Sequence, residues 1–173
     1  LVFLDGSTSM GDPIPTSTGT LVKLDIAKEI WSKLVPTVAK SDVSVTVFDS
    51  QPHVRLSLGS HTEAALKGVY WDANGGTYLW KMLVDDLQLK DRDSMIIVIT
   101  DGDDRNSPKP YLGLKGIVPC VDKLRGFGFS GDIYIIGLGI DDETAEVYEQ
   151  MAGATGGGFV LIDPVNDPDW EKK

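Results

Sequence analysis

Two stretches of this sequence, "MIIVIT" (95–100) and "IYIIGL" (133–138), are apolar at almost every position. Successive side chains of a β-strand point to opposite faces, so strands of this kind are buried on both sides. Such strands belong inside a sheet that helices cover above and below. Further short runs, rich in β-branched residues, fall at 1–5, 43–49, 53–58 and 158–162, and the two long ones extend over 94–100 and 132–140. "VSVTVF" and "HVRLSL" alternate in polarity, which suits strands nearer an edge.

Segments with helical spacing separate these runs. Over 20–40, Leu21, Leu24, Ile26, Ala27, Ile30, Trp31 and Leu34 trace one broad apolar face, and Pro36 is expected to kink or end the helix. Helices are also expected over 61–71, over 77–89 with a stripe of Leu79, Met82, Leu83 and Leu87, and over 112–128. The last, 141–153, carries acidic residues in its first turn and Gly153 past its end. The resulting order, β-α-β-β-α-α-β-α-β-α-β, predicts an α/β fold with a six-stranded, mostly parallel sheet. The one direct β-β step, through "SQP" (50–52), predicts a hairpin and hence one antiparallel edge strand.

Residues 1–163 are read as one domain, long enough for a single core. Residues 164–173, in the Pro- and Asp-rich "DPVNDPDWEKK", are read as an acidic tail leaving it. The chain opens in an apolar run without Met, so a fragment of a larger protein is expected. Lys and Arg number 16 against 26 Asp and Glu, a net charge of −10, and no basic cluster occurs. That balance argues against nucleic acid or an anionic membrane as the main partner. No apolar run approaches the roughly 18 residues of a membrane span, so no direct membrane insertion is expected. The single cysteine, Cys120, excludes an internal disulfide and reads as core packing in "GIVPCVDKL". No localisation follows from these features.

In wound sheets, sites form beyond the carboxyl ends of the strands, where strand order reverses. Three loops put oxygen donors there. The first strand ends in Asp5-Gly6-Ser7-Thr8-Ser9, the fourth in Thr100-Asp101-Gly102. Between them "NGGTYLW" places Thr77 at the start of a helix, behind two glycines that allow close backbone approach. Two carboxylates and three hydroxyls, with no His or Cys, form the donor set of a hard cation. Asp5, Ser7 and Ser9 share a parity, so a turn just past the strand points all three inward. An ion with neutral hydroxyls closest keeps much of its Lewis acidity and binds a carboxylate from another molecule.

Blander readings stand beside these. Ser7 or Ser9 caps a following helix. Asp103 and Asp104 face solvent or help cap the next segment, rather than enlarge the acidic set. The polar loop 10–20 is a surface connection or the rim of a partner-binding surface. His53 and His61 lack a metal-binding spacing and are expected at exposed or strand-edge positions. Tyr78 and Trp80 pack in the helix or offer an aromatic contact near the metal, while Trp31 and Trp71 are core candidates.

Asp-x-Ser-x-Ser, then Gly-Gly-Thr, then Thr-Asp-Gly, in this order and on these strand ends, resembles the von Willebrand factor type A (vWA) family and its metal-ion-dependent adhesion site (MIDAS). The likeness spans essentially the whole chain, and Asp5, Ser7, Ser9, Thr77 and Asp101 fill all five positions. It implies a Rossmann-like vWA fold with helices on both faces of the sheet. It further implies Mg²⁺, with Mn²⁺ or Ca²⁺ as substitutes. Ser7 and Ser9 would be direct ligands, Thr77 a state-dependent one, and Asp5 and Asp101 anchors of the water shell. The last helix would be the element that moves as the site switches.

The implied function is a non-enzymatic adhesion or assembly module that recruits an Asp or Glu carboxylate of a partner protein to the metal. One alternative is a Mg²⁺-dependent phosphohydrolase of the haloacid-dehalogenase type. That chemistry wants Asp-x-Asp, and Ser7 removes the second, proton-shuttling carboxylate. A serine hydrolase fits less well, because the Ser9 surroundings lack the first glycine of the nucleophile elbow. A third class is a structural subunit whose site serves only assembly.

Overall fold

The computed structural model of the chain describes residues 1–16, 19–88, 93–102 and 104–164, with the backbone alone at 87 and 88. Six strands form one sheet in the order β5-β4-β1-β6-β7-β8: β1 (Val2–Asp5), β4 (Val43–Phe48), β5 (Pro52–Gly59), β6 (Ile96–Thr100), β7 (Ile133–Leu138) and β8 (Phe159–Ile162). Every neighbouring pair is parallel except β4 and β5, whose hairpin leaves β5 as the antiparallel edge strand. The α/β class, the six strands and the single antiparallel edge agree with the sequence reading.

Side-chain parity divides the core into two layers. Val2 and Leu4 of β1, with Val43, Val45 and Val47 of β4, face α1 (Lys23–Val38) and α2 (Glu63–Lys67) through Trp31, Val35 and Leu66. The Trp31 indole N–H donates to the Leu66 carbonyl at 3.0 Å and ties the two helices together. On the opposite face Phe3, Phe48, Ile96 and Val98 meet α3 (Trp80–Gln88), α4 (Ile117–Gly126) and α5 (Asp142–Thr155). Each large apolar side chain buried this way contributes about 1.5–3 kcal/mol. Cys120 and Trp80 both lie in this second layer, fully buried.

Several boundaries differ from the sequence reading. Leu21 does not belong to the first helical face. It lies in a separate hairpin, β2 (Pro13–Thr16) with β3 (Gly19–Val22), and is 40% exposed. Two prolines disguise β2, but in a two-stranded ribbon each strand needs to bond on only one side. Pro36 is accommodated inside α1, in its last turn, and the helix closes two residues later at Val38. The third and fourth helices begin later than expected, at Trp80 and Ile117, the latter behind a single 3₁₀ turn over Leu114–Gly116. Leu79, Met82 and Leu83 are buried as expected, whereas the Leu87 side chain, Asp103 and residues 165–173 lie outside the described residues.

Strand order positions the site. From β1 the chain crosses through α1 to β4 on one side, and later returns to pair β6 on the other side of β1. The carboxyl ends of β1 and β6 therefore border the crevice where connections diverge. Asp5 is the last residue of β1, and Asp101 follows the last residue of β6.

Candidate metal centre

At the end of β1, Asp5 is completely buried. One carboxylate oxygen accepts the Ser7 backbone N–H at 2.8 Å, and the other accepts the Thr100 hydroxyl at 2.5 Å. Its carbonyl accepts the Trp71 indole N–H at 2.6 Å, so backbone and side chain are both pinned. Burial first, and then the charge of Asp101, push the Asp5 carboxyl up to about 7, against the pull of the Thr100 and Ser7 bonds. Two acidic groups in one dry corner disfavour each other's charge.

The chain turns inward beyond Gly6. A Cβ there would stand 2.9 Å from the Asp72 carbonyl oxygen and 3.0 Å from a Val47 methyl, so close approach requires glycine. Ser7 occupies the cap position of a 3₁₀ turn over Thr8–Gly11, yet its side chain makes no capping bond. Its hydroxyl lies 3.1 Å from that of Ser9 instead. Ser9 in turn donates to Asp101 Oδ1 at 2.9 Å. A hydroxyl has one proton, so Ser7 is the donor to Ser9, and the relay runs Ser7 to Ser9 to Asp101. Capping does not explain these serines.

Thr77 enters from a separate loop. Gly75, at φ +76°, takes a left-handed conformation open to glycine, and its carbonyl accepts both the backbone N–H and the hydroxyl of Thr8, at 2.9 and 2.8 Å. The Thr77 carbonyl accepts the Asn106 N–H at 2.9 Å. Ser7, Ser9, Thr77 and Asp101 line one cavity of about 430 Å³, with Asp12, Lys23, Arg105 and Asn106 among its other walls. Asp5 sits beneath this cavity, bonded to its floor through Ser7. All five residues singled out in the sequence are thus brought to one place.

Two residues here take roles that the sequence reading did not assign to them. Lys23 Nζ reaches Asp101 Oδ2 at 2.8 Å. A lysine on an amphipathic helix looks like solvated surface until the fold places it. The other is Asp104, which does not face solvent but does bond the N–H groups of the segment after it, at Asn106 and Ser107, as expected of a cap. Fully buried, it caps α3 from 24 residues downstream, accepting the N–H groups of Leu79 and Trp80 at 2.8 and 2.7 Å. It also accepts the Ser107 hydroxyl at 2.6 Å and N–H at 2.8 Å. The histidines are as expected: His53, on edge strand β5, is 3.0 Å from Asp49, and His61 is 2.8 Å from the Ser57 carbonyl.

The donor set fits a hard divalent ion. Its side chains offer oxygen alone, the Asp101 carboxylate is shielded from water, and one of its oxygens already holds a cationic nitrogen. Among the described residues no three His, Cys, Asp or Glu side chains group as a metal site. Any ion here therefore draws on hydroxyls beside two carboxylates, and retains waters at the remaining positions.

No protein-family profile and no curated relative matches this sequence. Solved structures do. The vWF domain of the type V pili tip protein Mfa5 from Porphyromonas gingivalis superposes with a TM-score of 0.68 at 12% identity, covering 99% of this chain and 91% of that one. BatB from Bacteroides thetaiotaomicron gives 0.63 at 19% identity, covering 99% and 92%. The SpRpn10 VWA domain gives 0.63 at 14% identity, covering 98% and 89%. The chain has a vWA-type fold. No helix among the described residues is long and apolar enough to cross a membrane.

Proposed function

We propose that this chain is a non-enzymatic protein-binding module that holds a divalent cation, Mg²⁺ with Mn²⁺ or Ca²⁺ as substitutes, and offers it to a partner carboxylate. The carrying observation is the convergence of three loops on one cavity: Ser7 and Ser9 from the first, Thr77 from the second, Asp101 from the third, with Asp5 buried below. Ser7, Ser9 and Thr77 would ligate, and Asp5 and Asp101 would hold coordinating waters. When bound, the ion supplies a Lewis-acidic position for an Asp or Glu side chain of a partner protein. The hairpin β2–β3 leads from Asp12 to Lys23, both on the cavity wall, and supplies a rim for that partner.

The Ser7 hydroxyl favours binding over phosphoryl transfer. It is spent on Ser9 and brings no acid/base carboxylate to the position where a phosphohydrolase needs one. Calorimetric titration of Mg²⁺, Mn²⁺ and Ca²⁺, with and without acetate, tests the reading. Saturable binding tightened by acetate supports it, and Thr77→Ala should weaken that binding while leaving the melting temperature nearly unchanged. Absence of saturable binding in the intact chain sinks it.

A further inference from the structure

Lys23 is the first residue of α1, behind an extended Val22, and its N–H bonds the Asp12 carbonyl at 3.2 Å. A cation in the first turn of a helix faces the positive end of the helix dipole, which is unfavourable. The side chain is nonetheless 14% exposed and ends on Asp101, whose own side chain has no exposure. Its stem is packed in place. At Gly139, whose φ is +57°, an added Cβ would stand 3.7 Å from Lys23 Cε and 2.5 Å from Ile14 Cδ1. The turn after β7 therefore passes beside both the lysine stem and the hairpin residue Ile14. Arg105 also lines the cavity but is exposed, so solvent screens its charge.

We propose that Lys23 is a built-in competitor for the divalent cation and sets the affinity of the site. The inference rests on the metal reading given above. The ammonium engages Asp101 Oδ2 while Ser9 engages Oδ1, so both oxygens of this carboxylate are spoken for. A divalent ion must share Asp101 with a positive charge or expel it, and like charges confined in a shielded cavity repel strongly. Without metal the same ammonium keeps Asp101 paired and in position. Lys23 therefore stabilises the metal-free protein and weakens the metal-bound one, so the site loads only where the divalent ion is abundant or a partner carboxylate adds its charge.

Lys23→Met keeps most of the stem and removes the charge, whereas Lys23→Arg keeps the charge. Mg²⁺ calorimetry on the intact chain should show Lys23→Met binding about tenfold tighter or more than the parent. Lys23→Arg should remain within about threefold of it, a shift well below the tenfold step. In EDTA the order reverses, with Lys23→Met melting below the parent because Asp101 is left unpaired. A measurement on the unaltered chain stands independently of folding in the variants. Acylation of Lys23, read by peptide mass spectrometry, should rise as Mg²⁺ is added.

Equal or weaker Mg²⁺ binding by Lys23→Met, or labelling that stays flat while the parent binds metal, overturns the proposal and leaves the metal site standing. If neither the parent nor any variant binds a divalent ion, the metal reading and this inference fall together.

Discussion

The backbone N–H of Asn106 donates at once to the Thr77 carbonyl, at 2.9 Å, and to the Asp104 carboxylate, at 3.2 Å. The loop after β6 and the loop before α3 are therefore one hydrogen-bonded unit, and Asp104 is its centre. Thr77 inherits its place in the cavity from a buried carboxylate that never lines it.

Replacing that carboxylate should be costly. Asp104→Ala strands the N–H groups of Leu79, Trp80 and Ser107 in a buried setting. Each orphaned donor costs about 1–3 kcal/mol. Because losses within one cluster are not additive, a net destabilisation of about 3 kcal/mol or more is expected in urea unfolding. Mg²⁺ affinity should fall as well, since Thr77 loses its anchor. Retention of parental stability would show that the cluster repairs itself around water.

The opposite sign is expected on β4. Thr46, 1% exposed, has a buried hydroxyl with no hydrogen-bond partner among the described residues. It shares a face with Phe48 and pairs in register with Phe3 of β1. Valine is nearly isosteric and carries no polar atom. Thr46→Val should gain about 1 kcal/mol of stability, measured as a higher urea midpoint with unchanged slope. A loss would mean that the hydroxyl is satisfied by buried water.

A pH effect is expected at the start of α5. The Asp141 side chain accepts the Thr144 N–H at 2.8 Å, and this bond holds its carboxyl below the usual range. A carboxyl lowered in the fold contributes in full above its unfolded value of about 3.9. The contribution drains away as pH falls through the lower, folded value. Asp141→Ala should cost about 1 kcal/mol at neutral pH. Asp141→Asn, which caps without titrating, should lose less stability than the parent between about pH 4 and pH 2. Identical acid unfolding of parent and Asp141→Asn would remove the cap from the account.

What could be read from the sequence follows from range. Asp5, Ser7 and Ser9 were legible because they lie within five residues at the end of an apolar strand. The succession of strands and helices along the chain came from apolar periods, which are local too, whereas the order of strands within the sheet came only with the structure. The hairpin β2–β3 was not legible, since Pro13 and Pro15 read as loop residues and Leu21 fits a helical spacing as well as a strand. The bonds from Asp104 to α3 were missed because that helix lies behind it in the chain, where capping signals are sought only a few residues ahead. Lys23 was missed because nothing local distinguishes a lysine that pairs across 78 residues from one that meets water.

Trp71 lies 2% exposed with its indole N–H on the Asp5 carbonyl. That bond turns a core side chain into an optical witness. Indole emission depends on what the ring N–H touches, and here it touches the peptide that bears the deepest acid of the cavity. Whatever rearranges Asp5 perturbs a chromophore the protein already owns, so loading of the cavity can be followed in the unlabelled chain by its own fluorescence.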